Sequence, residues 1–178
     1  MTVDLDAVRA IAGAMGARPW FTRLGVPLTG DELALTQVAA GGYRVTGVDV
    51  VPDLAAAKAL VLDPAGAAAA DADAVEARVL RDRAVAAAGE RAVLGDLSAI
   101  VDASLEPTIA AARTALAAAS IADDEFARVL AGAAALAAYH AALAKACGMS
   151  DHAFVAIDAL FARGRWPLGP HAGRFAVL

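Results

Sequence analysis

Three histidines and one cysteine, set among carboxylates and arginines, hold most of this chain's capacity for acid–base or nucleophilic chemistry. His140 stands out. On a helix it falls in line with Ala133, Leu136, Leu143 and Cys147, an apolar stripe within "AGAAALAAYHAALAKACG". A histidine on such a stripe is ordinarily a core residue satisfied by a carbonyl or a carboxylate. The sharper alternative makes it the wall of a cleft, as an acid/base group or ligand contact. Its neighbour Tyr139 lies on a different face of the same helix. Asp158 poses a matching question, because it adjoins the stripe of Phe154, Ile157 and Phe161. A carboxylate beside apolar surface needs a cation, and Arg163, Arg165 or a histidine could supply it. His140, Asp158, Arg163, Trp166 and His152 therefore form the candidate pocket, with no catalytic residue assigned.

Other groupings resolve into structure. "SDH", residues 150–152, has the letters of a triad, but three neighbours at a helix start point in different directions. Ser150 is expected as the N-cap of the last helix, with Asp151 favourably placed by the dipole. "DDE", residues 123–125, offers oxygens to a divalent cation. A helix start explains the same residues, and Asp71, Asp73 and Glu76 repeat the arrangement at a second expected start. No metal site is expected. Cys147, at a helix C-terminus, is read as a small buried residue, since that end of the dipole disfavours a thiolate. A single cysteine allows neither an internal disulfide nor a cysteine-cluster metal site. Arg165 and His171 cannot act from one helix, because Pro167, Gly169 and Pro170 lie between them. Phosphate-binding glycine loops, HExxH, GxSxG and Glu-x-x-His are all missing from the sequence.

The elements that must position these groups are nearly all helical. The sequence is 60% hydrophobic with mean hydropathy +0.58, yet about fifty of its 178 residues are alanine, a helix former with little surface to bury. Alanine faces let helices approach closely, which leaves little room for a large cofactor, and none is expected. The most apolar stretch, Val129 to Ala144, contains His140 and lies between Arg128 and Lys145. A spanning helix needs about 20 predominantly apolar residues, so no membrane segment is expected.

A first helix follows Thr2 or Asp4 and ends near Gly16, and a second runs from a capping box of Thr29 and Glu32 to Gly41. "YRVTGVDVV", residues 43–51, is the interior run with strand chemistry. Pro52 opens a helix that runs through Leu62 to Pro64, and "PAGAAAADAD" then reads as a linker or as an extension of the next helix. Val75 and Val79 begin the next stripe, with Arg78 and Asp82 as an exposed pair. Val93, Leu97, Ile100, Val101 and Leu105 mark the following helix, and Ser104 with Pro107 marks a new start. Ser120 and Asp123 resemble a capping box before a long helix ending at Gly148. The expected fold is mainly α, a compact bundle of about six to eight helices, with a small antiparallel β element from residues 43–51 and the C-terminal tail. Residues 1–178 are read as a single domain, with 1–63 as an optional lobe joined by alanine-rich 64–73 to a bundle over 74–178.

The tail, "GRWPLGPHAGRFAVL", alternates. Trp166, Leu168, Phe175 and Val177 share one side of a hairpin that turns at "GPHA". Arg165, His171 and Arg174 are left to face a partner.

Net charge −5 and pI near 5.1 argue against a nucleic-acid partner. The start "MTVDLDAVRA" lacks the basic, apolar plan of a signal peptide, which with the lone cysteine makes the cytoplasm the expected location. The expected function is binding of another macromolecule, as regulator, adaptor or toxin-neutralising protein, more than enzymatic work. Homo-oligomerisation through alanine faces is compatible with it. The alternative is an enzyme or small-ligand binder with its pocket around His140, Asp158 and Trp166.

Overall fold

The computed structural model describes residues 4–61 and 67–178. Seven α-helices and a three-stranded sheet occur among them: α1 (Leu5–Ala14), α2 (Gly30–Ala40), β1 (Val48–Val50), α3 (Leu54–Val61), α4 (Ala67–Ala88), α5 (Ser98–Ala118), α6 (Asp124–Ala146), α7 (Ala153–Ala162), β2 (Pro167–His171) and β3 (Arg174–Val177). The protein is mainly helical with a small β element, as its periodicity predicts. Helix α6 is the axis of the bundle, packed by α4, α5 and α7. Nine of its twelve buried residues are alanines, so neighbours can close on it from several sides. It is long and apolar enough by composition to cross a membrane, with mean hydropathy 1.4, and 67% of that apolar window is buried within the protein.

Local signals set the helix ends. The Thr29 hydroxyl accepts from the Glu32 N–H while the Glu32 carboxylate accepts from the Thr29 N–H, a complete capping box at α2. Gly148 and Gly164, both with positive φ, follow α6 and α7. Other starts differ from expectation. Asp123, not Ser120, caps α6 by accepting from the Phe126 N–H. Ser150 caps nothing: His152 is the N-cap of α7, its Nδ1 accepting from the Phe154 N–H. Pro107 does not start a helix. Helix α5 runs through it, because Val101, Thr108, Ile109, Ala112 and Leu116 form one continuous inward stripe. The Thr108 hydroxyl donates to the Ser104 carbonyl beside the break, where proline has no N–H to give.

The stripe of α4 is also displaced. Val75 and Val79 are exposed, while Leu80 and Ala84 are fully buried and Asp73 and Ala77 half-buried. The inward spacing is thus 73, 77, 80, 84. Arg81, rather than Arg78, has Asp82 as its ion-pair partner, at 3.7 Å. Residues 62–66, including Leu62 and Pro64, lie outside the described residues, as does Thr2. The alanine run from Ala67 is helical.

The sheet has the order β1-β3-β2. Strand β2 pairs antiparallel with β3, the hairpin expected from the tail, with an irregularity between Pro167 and Gly169. Its turn is not "GPHA" but Ala172–Gly173, with φ of 47° and 77°, the positive pair that a two-residue hairpin turn requires. Strand β1 is shorter than residues 43–51 and runs parallel to β3, with Val48 opposite Phe175 and Val50 opposite Val177. Five helices separate β1 from the hairpin, so no tight turn forces the antiparallel sense. Strand β3 is buried on both faces. Phe175 and Val177 meet Ala39, Ala156 and Leu160, while Ala176 and Leu178 join the cluster of Trp20, Phe161 and Trp166. The tail's apolar residues are therefore shared between two clusters instead of lying on one side.

Candidate functional site

Two places hold the residues singled out from the sequence. The first is the junction between the tail and the loop before α2. Arg165 is fully buried. Its Nε and Nη2 donate to the two Glu32 carboxylate oxygens, each at 3.1 Å. Nη1 donates to the carbonyls of Arg23 and Val26, and Nη2 also to that of Pro27, at 2.8–3.0 Å. All five guanidinium N–H groups are used. The expectation that Arg165 faces a partner is thereby corrected: the residue has no donor and no exposed surface to offer. Burial alone would raise the Glu32 carboxyl. Hydrogen bonds from Arg165 and the Thr29 N–H, with the charges of Arg165 and Arg23, outweigh it and hold Glu32 at about 2.

Beside this clamp, Trp166 packs 4.5 Å from Trp20, 4.9 Å from Phe21 and edge-on to Phe161 at 4.7 Å. Asp158 accepts a 2.6 Å hydrogen bond from Arg18, both side chains nearly buried. Its cation thus comes from the turn after α1, not from Arg163, Arg165 or a histidine. Arg163 is exposed and donates to the Ala159 carbonyl. Arg174 lies over Gly47 and ties to the Asp49 carboxylate and the Val48 carbonyl, strapping β3 to β1. His171, half-buried, is the last residue of β2.

The second place is a cleft walled by α4 and α6 and floored by α7 and the sheet. It has two open chambers that share Asp73, Leu136 and His140: one of about 470 Å³ against the exposed Ala74, Arg78 and Arg81, here the outer, and one of about 190 Å³ against the buried Phe154, Phe161 and Phe175, here the inner. His140 is therefore a cleft residue, though partly covered. Its ring stacks at 4.5 Å from Phe154 and makes no hydrogen bond to any described residue. Burial, then the neighbouring His152, pushes its pKa down to about 4. The imidazole is neutral at neutral pH, with one nitrogen able to donate and one to accept.

Opposite it, Asp73 accepts a hydrogen bond from the Tyr43 hydroxyl. Burial raises the Asp73 carboxyl, partly offset by that bond. Burial and the bond to Asp73 both push the Tyr43 phenol up. Phe154, Ile157, Phe161, Leu168 and Phe175 make the inner chamber apolar. Arg78 and Arg81 line the outer one.

Of the five pocket candidates, His140 lines the cleft, and the structure does not gather the other four around it. His152 lies near, sharing the Phe154 ring at 5.1 Å. Its two nitrogens are occupied, Nδ1 by the Phe154 N–H and Nε2 by Glu76 at 3.2 Å. Asp158 and Trp166 belong to the core beneath the clamp. Asp73, Tyr43, Arg78 and Arg81 accompany His140 and are not among the pocket candidates: Asp73 is expected at a helix start but lies within α4, and Arg78 is expected in an exposed pair. Tyr139, expected on a different face, also lines the outer chamber with its ring 5.8 Å from that of His140. One signal was available: Asp73 lies at helical spacing before Ala77, Leu80 and Ala84, a carboxylate on an inward stripe. Among the described residues, no group of three or more His, Cys, Asp or Glu side chains could hold a metal ion. Comparison with protein-family models, with curated proteins and with solved structures found no match in any of the three.

Proposed function

We propose that the protein binds a small organic molecule in the cleft between α4, α6 and the sheet, with His140 and Asp73 as the polar groups that meet it. The observation that carries this reading is His140: a neutral, half-buried imidazole without a hydrogen bond to any described residue, opening on a cavity with an apolar floor. Ligand sites have this composition, an apolar lining with a few convergent polar groups. The hydrogen bond from Tyr43 fixes the Asp73 carboxylate as a second polar group lining the cavity with His140. No reaction is assigned.

The test is a thermal-shift survey of small molecules sorted by chemical class, run on the wild-type protein and on Ala133→Trp, which fills the cleft from an exposed position. Compounds that raise Tm in the first and not in the second support the reading. Compounds that stabilise both equally, with none selective, overturn it. Binding of another macromolecule is the second reading, favoured by Val75 and Leu136, which are 58% and 54% exposed. It predicts a co-purifying partner that Val75→Glu releases while ligand shifts at the cleft persist.

A further inference from the structure

We infer that the cleft takes a small amphipathic anion, an apolar group of about one ring carrying an acidic head, and that it binds in one orientation with the ring inward. This rests on the ligand-binding reading of the same cleft. Size sets the apolar part. An apolar cavity of about 150 Å³ takes benzene, and the inner chamber, at about 190 Å³, is lined by Phe154, Phe161, Phe175, Ile157 and Leu168. Charge sets the head. Arg78 and Arg81 are one helical turn apart on α4 and both line the outer chamber. Arg78 has no ion-pair partner among the described residues, and Arg81 has only its exposed neighbour Asp82 at 3.7 Å. Two guanidiniums at one cavity mouth, in a protein of net charge −5, form a local field suited to a carboxylate, sulfonate or phosphate. Orientation follows from Asp73. Its carboxylate lines both chambers, while Arg78 and Arg81 line only the outer one, so an acidic head seated inward would meet the like charge with no cation to offset it, whereas an outward head has the arginines beside it.

A matched pair of one-ring probes, followed by ligand-observed NMR, tests this. 4-Toluenesulfonate carries a sulfonate that toluene lacks, while their ring is the same. Titration of the wild-type protein is compared with Arg78→Gln/Arg81→Gln, both exposed positions, and with Ala133→Trp. The expected result is a loss of about tenfold or more in sulfonate affinity in the double variant. The neutral probe should change by less than about twofold, and Arg78→Lys/Arg81→Lys should recover most of the loss. Ala133→Trp should weaken both probes. If the double glutamine variant binds the sulfonate as tightly as wild type while Ala133→Trp still blocks both probes, the anionic class is overturned and the cleft reading survives. If Ala133→Trp changes neither probe, the cleft reading itself falls.

Discussion

The Arg165 clamp and the His140 cleft each hold a buried or half-buried charged-type side chain, and they treat it in opposite ways. Arg165 has every donor matched by an acceptor, and its partner Glu32 is in turn held by Thr29 and Arg23. His140 has aromatic neighbours, open space and no hydrogen bond to any described residue. A saturated guanidinium such as that of Arg165 fixes one structure and has nothing left for a ligand. An unsaturated group at a cavity is costly to keep and becomes intelligible when something else completes it. Unmet bonding capacity alone does not set the two apart, since buried N–H groups of Arg18, Trp20, Arg23 and Trp166 beside the clamp also lack a partner among the described residues; what distinguishes His140 is that it opens on a cavity.

The sharpest way to break the comparison is at the clamp. Arg165→Ala leaves Glu32 buried and takes the donor from the Val26 and Pro27 carbonyls, and should cost about 3–5 kcal/mol in chemical denaturation. The double variant Arg165→Ala/Glu32→Ala should recover part of that loss, because the orphaned charge goes with its partner. A cost below about 1 kcal/mol for the single variant would show the clamp to be ornamental.

Acid sharpens the same contrast. The folded pKa of Glu32 is about 2, below its ordinary 4.5, so its contribution is complete above pH 4.5 and is lost as pH falls toward 2. His140 is a base with its folded pKa lowered to about 4 from 6.5. Its share is complete above pH 6.5 and declines as pH falls through 4. Denaturation at steps from pH 7 to 3 should therefore show two losses. Glu32→Gln removes the lower one and His140→Leu the upper. Histidine ring shifts in NMR should give His140 a midpoint near 4.

At the cleft the expected effect on stability is smaller and its sign is different. His140→Leu removes a polar ring that the protein does not satisfy and supplies apolar surface against Phe154, so stability at pH 7 should change by less than about 1 kcal/mol, with a gain favoured. Cleft affinity for an aromatic probe should fall in the same variant. Destabilisation of several kcal/mol would return His140 to the core. The smallest effect is at the hairpin turn. Ala172 has φ of 47°, where alanine is strained and glycine is not. Ala172→Gly should stabilise by about 0.5–1 kcal/mol, read from Tm.

Much of the fold is legible in the sequence because its signals are local. The Thr29–Glu32 box, Gly148 and Gly164 mark helix ends through their own backbone chemistry, and the tail's alternation forecasts the hairpin. What misleads is competition between local signals and distant packing. Pro107 looks like a start, yet the apolar stripe on either side carries α5 through it. Valine draws the eye to positions 75 and 79, while the stripe that packs is 73, 77, 80 and 84. Ser150 is the better cap by preference, but His152 holds the geometry because Glu76 fixes its other nitrogen. The candidate site is less legible for a related reason. Tyr43 and Asp73 are 30 residues apart, Asp73 and His140 67 apart, and neither pairing leaves a periodic trace.

The clamp also bears on the order of folding. Arg165 closes contacts 133 to 142 positions back along the chain, whereas α5, α6 and α7 meet as sequence neighbours. Long closures carry their entropy cost before any bond rewards them. The three helices can assemble early, but residues 23–32 must wait for a guanidinium that arrives from the far side of the sequence. Their amides should gain exchange protection in step with the hairpin, and later than those of α6.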